Sequence, residues 1–217
     1  MQQLINGLSL GSIYALLALG YTMIYGIIKI IHFAHGDVYM LGAFFGYYTI
    51  NVWHFNFIMA LFGSMIFCAL VGMLIEFVAY RPLRHSSRIA VLITAIGVSY
   101  FLQNLALLIW GSTPKSFSSV VSIGSITLLE GQLVISGETI VTVLANILIM
   151  IALTQFTSRT KFGKAMRAVS EDKGAAELMG INVNMTISMT FAIGSALAAI
   201  AGVLLCSAYP TLQPTTG

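Results

Sequence analysis

The chain has 217 residues, of which 58% are apolar and only 8% charged, against the roughly 25% charged residues of an ordinary soluble domain. Its mean hydropathy is +0.93 and its formal net charge +3. Such a composition cannot cover a water-facing surface, and the basic residues gather at the edges of apolar runs, so neither a soluble domain nor a nucleic-acid binder is expected.

With 20 glycines and 4 prolines, the long uncharged runs read as closely packed spanning helices. The short alternating segments of an outer-membrane barrel are missing. The expected fold is all-α, a polytopic transmembrane helical bundle, with residues 1–217 forming a single domain. Cys68 and Cys206 lie inside apolar runs and give neither a disulfide framework nor a metal pattern. No cofactor or metal is expected.

The first run, 4–28, has no basic segment before it and is too long for a signal-peptide core, so it reads as a retained span. A helix needs about 20 residues to cross the hydrocarbon layer. Between Val38 and Ile75 the ionisable residue is His54, and the run holds two spans comfortably only if the first begins near Ile30. The expected spans are therefore 4–28, 31–50, 55–78, 89–110, 139–158 and 184–206, six in all. This arithmetic draws the polar stretch "KIIHFAHGD", Lys29 to Asp37, partly into the bilayer.

The basic residues orient the bundle. Lys29 follows the first span; Arg81, Arg84 and Arg88 follow the third; Arg159, Lys161, Lys164, Arg167 and Lys173 follow the fifth. Nine of the ten basic residues share one face, with Lys115 opposite. The positive-inside rule makes that face cytoplasmic and puts the N-terminus outside. The outer segment Gly111–Glu138 is expected to be a loop covering part of a pathway, with a short hairpin or surface segment in "SITLLEGQLVIS".

Charged groups inside a span are expensive and often functional. Asp37 has three readings: a pair with Lys29, acceptance of backbone N–H groups around Gly36 in a broken helix, or exposure to the pathway. His32 and His35 are three apart and read as structural. Thr94, Ser99, Gln103 and Asn104 are polar positions in the fourth span, placed to line a channel or to bond across helices. Glu76, near Arg81 and Arg84, reads as an interfacial pair or a snorkelling carboxylate. Gly7 and Gly11, Gly42 and Gly46, and Gly194, Ala198 and Gly202 form small-residue stripes for close packing.

The inner loop 159–182 contains a short amphipathic helix. Ser170 is a candidate cap, Glu171 and Asp172 lie in the expected first turn, and Ala175, Ala176, Leu178 and Met179 form an apolar face. Gly180 is placed to end it. The basic half, Arg159 to Arg167, suits lipid headgroups; the acidic half suits a protein partner.

"LINGLSLGSIYALLALGYTMIYGIIKIIHFAHGD", "EFVAYRPLR" and "AVSEDKGAAELMGINV" resemble the inner-membrane permease of bacterial branched-chain amino acid ABC importers, and the resemblance covers essentially the whole chain. "EDKGAAELMG" resembles that family's cytoplasmic coupling segment, so the resemblance implies that Glu171, Asp172, Ala175, Ala176, Glu177 and Gly180 engage an ATPase. "HFAHGD" resembles its signature segment, which implies a mechanical role for Gly36 and Asp37 in gating or the pathway; Thr94, Gln103 and Asn104 remain pathway candidates on their polarity within the fourth span alone.

The resemblance also implies two cytoplasmic ATPase subunits, a second permease subunit, a periplasmic binding protein, the lipid bilayer and a small amino acid substrate (leucine, isoleucine or valine). No G-x-x-x-x-G-K-[ST] loop is present, so the chain is expected not to be an enzyme. A related urea or short-amide importer and an ATPase-independent carrier are the alternatives. Members of the family are usually longer, and this chain looks shortened after Pro210.

Overall fold

The computed structural model describes residues 2–84, 86–116, 126–128, 133–135, 137–208 and 211–214. It is an all-α bundle. In chain order come α1 (Gln2–Ile28), α2 (His35–Asn51), α3 (Phe57–Ile75) running into a π-turn (Glu76–Tyr80), α4 (Arg88–Trp110), α5 (Gly137–Arg159), α6 (Lys161–Glu171), α7 (Lys173–Leu178) and α8 (Val183–Ala208). Five helices are long and apolar enough to cross a membrane. The segment expected as a second span is shorter: α2 has 17 residues and starts at His35 rather than near residue 31.

The core is built around α8. In its membrane-length window 78% of residues are buried, against 6% in α5 and 17% in α4. α8 packs on α1, α2 and α3, and small residues make these approaches possible. A Cβ on Gly42 would lie 2.7 Å from the Ala199 Cα, and one on Gly46 would lie 2.8 Å from Val203. A Cβ on Gly202 would strike the Tyr39 carbonyl, and one on Gly72 would strike Ser195. Gly7 and Gly11, in contrast, have open space where a Cβ would sit, so the first small-residue stripe packs on nothing among the described residues.

Aromatic stacking completes the core beside α2. Phe44 lies on Trp110 of α4 with ring centroids 4.7 Å apart, and Phe45 lies on Phe67 of α3 at 4.6 Å.

Two small antiparallel pairs lie between and after the helices: Lys115–Ser116 with Thr211–Leu212, and Ile126–Leu128 with Leu133–Ile135. The second is the expected hairpin. Residues 117–125, 129–132 and 136 of that loop are outside the described residues, as is Pro210.

Candidate functional site

The polar stretch after α1 is an irregular break that re-enters the bundle. α1 closes with Lys29 in the left-handed region (φ +57°), its N–H donating to the Tyr25 carbonyl at 2.7 Å. The chain then turns back along α1, and α2 starts beside Gly20 and Tyr21. A Cβ on Gly20 would lie 3.2 Å from His35 Nε2, and the Tyr21 and His35 rings meet edge-on at 5.9 Å. Gly20 is eight residues before the end of α1, so α2 begins about 12 Å inside that end at 1.5 Å per residue. Irregular backbone at such depth is tolerated where protein buries it or a cavity adjoins it.

His32 precedes α2, so the two histidines do not share a helix face. Its Nδ1 hydrogen-bonds the Tyr80 hydroxyl at 2.6 Å, and its ring packs edge-on against Tyr80 and Phe191, both at 5.2 Å. His32 and His35 are 2% and 3% exposed. Among the described residues, His32 Nε2 and both His35 ring nitrogens have no hydrogen-bond partner of good geometry. The Leu17 carbonyl is close to His35 but outside bonding geometry. No metal-ligand cluster occurs among the described residues.

Asp37 lies in the first turn of α2, also buried, and accepts hydrogen bonds from Gln103 Nε2 at 2.9 Å and from Ser99 on α4. This bears on two of its expected readings. It does not pair with Lys29: the ion pair among the described residues is Arg84–Glu76. Nor is it the N-cap residue, a position held by Ala34, although its carboxyl does accept from its own backbone N–H in the first turn of α2. Ser99 and Gln103 bond across helices, whereas Thr94 and Asn104 donate to carbonyls of their own helix, Ala90 and Tyr100. Gly36, half-buried, lies at the mouth of the break.

At the charged end of the bundle, Glu76 is fully buried in the π-turn. It pairs with Arg84 and accepts from the Ser188 hydroxyl at 2.5 Å, and Arg84 also donates to Asn184. Of its two expected readings the pair with a neighbouring arginine is the one seen, not the snorkelling carboxylate, and Glu76 further ties α3 and the following turn to the start of α8. Ser188 and Asn184, a hundred or more residues away in sequence, gave no signal of this role.

Beside that network α6 and α7 form a helix pair. Thr160 caps α6 by accepting from the Gly163 N–H at 2.9 Å, and Gly163, Met166 and Val169 are buried along one side. The expected cap is corrected here. Ser170 lies inside α6, bonded to the Arg167 carbonyl, and Glu171 is the last residue of α6. Asp172 breaks the helix with extended backbone and caps α7, accepting from the N–H groups of Gly174 and Ala175 at 2.8 and 3.1 Å. α7 ends as expected at Gly180 (φ +81°), where Gly180 N–H bonds the Glu177 carbonyl and Ile181 N–H bonds that of Ala176. This crossed pair is the Schellman arrangement.

Of the expected apolar face of α7, Ala176 alone is buried. Leu178 and Met179 are 91% and 83% exposed, and Ala175 and Glu177 are also exposed. Between α7 and α8 lies a cavity of about 660 Å³ lined by Arg84, Lys173, Glu177 and Asn184 among others. Partial burial, and then the nearby cations Arg84 and Lys29, push the Lys173 ammonium below the usual lysine range.

The sequence that folds into this bundle and elbow matches a family model over nearly all its length. The family described as "branched-chain amino acid transport system / permease component" matches residues 3–217. The chain belongs to this family. It is 42% identical over 228 residues to the high-affinity branched-chain amino acid transport system permease protein BraD of Pseudomonas aeruginosa, and 41% identical over 235 residues to the LivH protein of the same description from Escherichia coli. In each case all of this chain is covered, and it spans 74% of the relative's length. A LivH protein from Methanocaldococcus jannaschii is 29% identical over 216 residues. No solved structure matches. The chain is thus a multi-pass membrane permease component of the inner membrane, not an enzyme.

Proposed function

We propose that this chain is the membrane subunit of an ATP-driven importer of branched-chain amino acids, forming the translocation pathway and receiving its energy from separate ATPase subunits. The observation that carries this reading is the match to the permease family from residue 3 to 217, together with relatives above 40% identity described as high-affinity branched-chain amino acid permeases. In this reading six segments cross the membrane, α2 being the short one, and the N-terminus is outside. The charge asymmetry supports that orientation, since nine of ten basic residues fall on one face.

The elbow α6–α7 is then cytoplasmic and is the coupling element. Its tip offers Leu178 and Met179 to solvent beside Glu171, Asp172 and Glu177. Two large apolar side chains so exposed on a charged turn suit a protein groove better than water. Ala175, exposed, faces the docking partner, while Ala176 and Gly180 fix the shape of α7. A push on α7 reaches α8 through the Schellman turn and reaches the π-turn through Arg84, Asn184 and Glu76. α8 touches α1, α2 and α3, so its movement shifts the whole pathway. A second permease subunit and a periplasmic binding protein complete the machine, the latter supplying most of the specificity.

Reconstitution of the chain with its ATPases, companion permease and binding protein in proteoliposomes tests the reading. Accumulation of labelled leucine, isoleucine or valine that requires ATP is expected. Accumulation of urea or short amides in their place, or leucine uptake without the ATPases, would overturn it.

A further inference from the structure

The charged end of the bundle brings cations together without giving each a partner. Lys29 follows α1, Arg84 follows the π-turn and Lys173 opens α7. Among the described residues Arg84–Glu76 is the ion pair, and neither lysine has one. Partial burial, then repulsion from Arg84 and Lys29, holds the Lys173 ammonium below the usual lysine range. The cavity of about 660 Å³ between α7 and α8 lies here. A crevice of about 30 Å³ adjoins it and reaches Ile28, Ile30 and Val91, at the ends of α1 and α4. Arg84, Lys173 and Ile187 line both.

The larger cavity is rich in donors and poor in acceptors. Asn184 Oδ1 accepts from Arg84, and Asn182 Oδ1 accepts from the Met185 N–H at 3.0 Å. Each asparagine is therefore left with its amide N–H groups, and both line the cavity. Arg84 gives one bond to Asn184 and one to Glu76, fewer than a guanidinium has N–H groups to give. The Lys173 ammonium can only donate and has no partner among the described residues. Glu177 is the carboxylate in the lining; it is exposed and pairs with neither cation.

Such a lining selects an anion with several acceptor oxygens, and the position selects its source. α1 ends, and α4 and α8 begin, beside these cavities, and all three are of membrane length. The site thus lies where hydrocarbon gives way to headgroups, and basic pockets between helices at that level attract acidic headgroups. The crevice leads away from the donors towards half-buried Ile28 and Ile30, apolar surface that suits a lipid better than a carboxylate of a partner protein.

We propose that the cavity between α7 and α8 binds the phosphate of an anionic phospholipid, which bridges Lys173 of the elbow to Arg84 of the bundle. The amide N–H groups of Asn182 and Asn184 complete the shell of the phosphate, and the acyl chains leave over Ile28 and Ile30. The site is independent of the solute carried.

The test titrates the purified chain in neutral detergent with a short-chain phosphatidylglycerol bearing a fluorophore on its acyl chain, read by anisotropy. Saturable binding is expected that unlabelled phosphatidylglycerol displaces and phosphatidylcholine does not. K173Q should weaken it about tenfold, the loss of one hydrogen bond between charged groups, and K173R should restore most of it. K164Q removes an exposed lysine that does not line the cavity and should change the affinity by less than about twofold. Melting temperatures check that each variant is folded. An equal loss in K164Q would mean diffuse attraction and overturn the site. Displacement by inorganic phosphate at the concentration where unlabelled lipid displaces would overturn the lipid as its source. Release of the lipid when the ATPases are added would give the cavity to a partner carboxylate and overturn the proposal, as would failure of wild-type chain to bind the probe.

Discussion

Gln103 Nε2 donates to the Asp37 carboxylate across the α2–α4 interface at 2.9 Å. Sixty-six residues separate the two in sequence, and with Ser99 they supply the polar tie between helices that otherwise meet through few contacts. A hydrogen bond to a charged group contributes about 1.5–3 kcal/mol, enough to set the position of α4 beside the re-entrant break.

Asp37→Asn keeps the shape and one acceptor but removes the charge-assisted bond. It is expected to preserve assembly with the partner subunits and to slow uptake several-fold. Gln103→Leu leaves the carboxylate with Ser99 alone and is expected to slow uptake at least as much. Initial rates in proteoliposomes, beside pull-down of the ATPases, check both; wild-type rates in the two variants would remove Asp37 from the mechanism.

Arg84→Met strips a buried carboxylate of its partner. Loss of one member of a buried pair costs about 3–5 kcal/mol, so the variant should show a clearly lower melting temperature in detergent. The double variant Arg84→Met with Glu76→Gln should recover much of the loss, since no uncompensated charge is left. A thermal unfolding series on the four proteins measures the coupling.

Asp172→Ala removes the cap that accepts two N–H groups of α7, a change of about 1 kcal/mol. In a helix of six residues that is enough to fray the elbow. Weaker ATPase association is expected, with bundle stability unchanged. Ala175→Trp, at an exposed position, should block association outright without unfolding α7, whereas Ala176→Trp should disturb α7 itself. Co-purification of ATPase and the melting temperature of the bundle separate these outcomes.

Gly202→Val forces a branched side chain against the Tyr39 carbonyl and Ala43. Overpacking of this kind costs about 1–3 kcal/mol and should lower both stability and membrane yield. Gly7→Ala and Gly11→Ala meet nothing within 4 Å and should leave the isolated subunit's melting temperature unchanged.

Most of the helical layout was legible because apolar length is a strong signal. The runs at 89–110 and 139–158 fall within two residues of α4 and α5, and α8 exceeds its expected bounds by two residues or fewer at each end. What failed to read was local chemistry inside the apolar frame. Span arithmetic drew residues 31–34 into a helix, but the chain uses them as an irregular segment that ends in a turn before α2. α6 was hidden by its basic residues, although Thr160 as a cap and the spacing of Phe162, Met166 and Val169 mark a helix with one buried side. Ser170 and Asp172 are both good caps by type, and the choice between them was made by where α6 ends. The bonds Asp37–Gln103, His32–Tyr80 and Glu76–Ser188 join residues 48 to 112 apart; periodicity carries no information on such pairs.

The account turns on the α6–α7 elbow lying on the cytoplasmic side against a motor subunit. A single cysteine placed at Leu178, with Cys68 and Cys206 replaced by alanine, and probed with a membrane-impermeant maleimide measures this directly. The predicted result is no labelling in intact cells, full labelling in inside-out vesicles, and protection when the ATPases are bound. Labelling of residue 178 from outside intact cells would contradict the account.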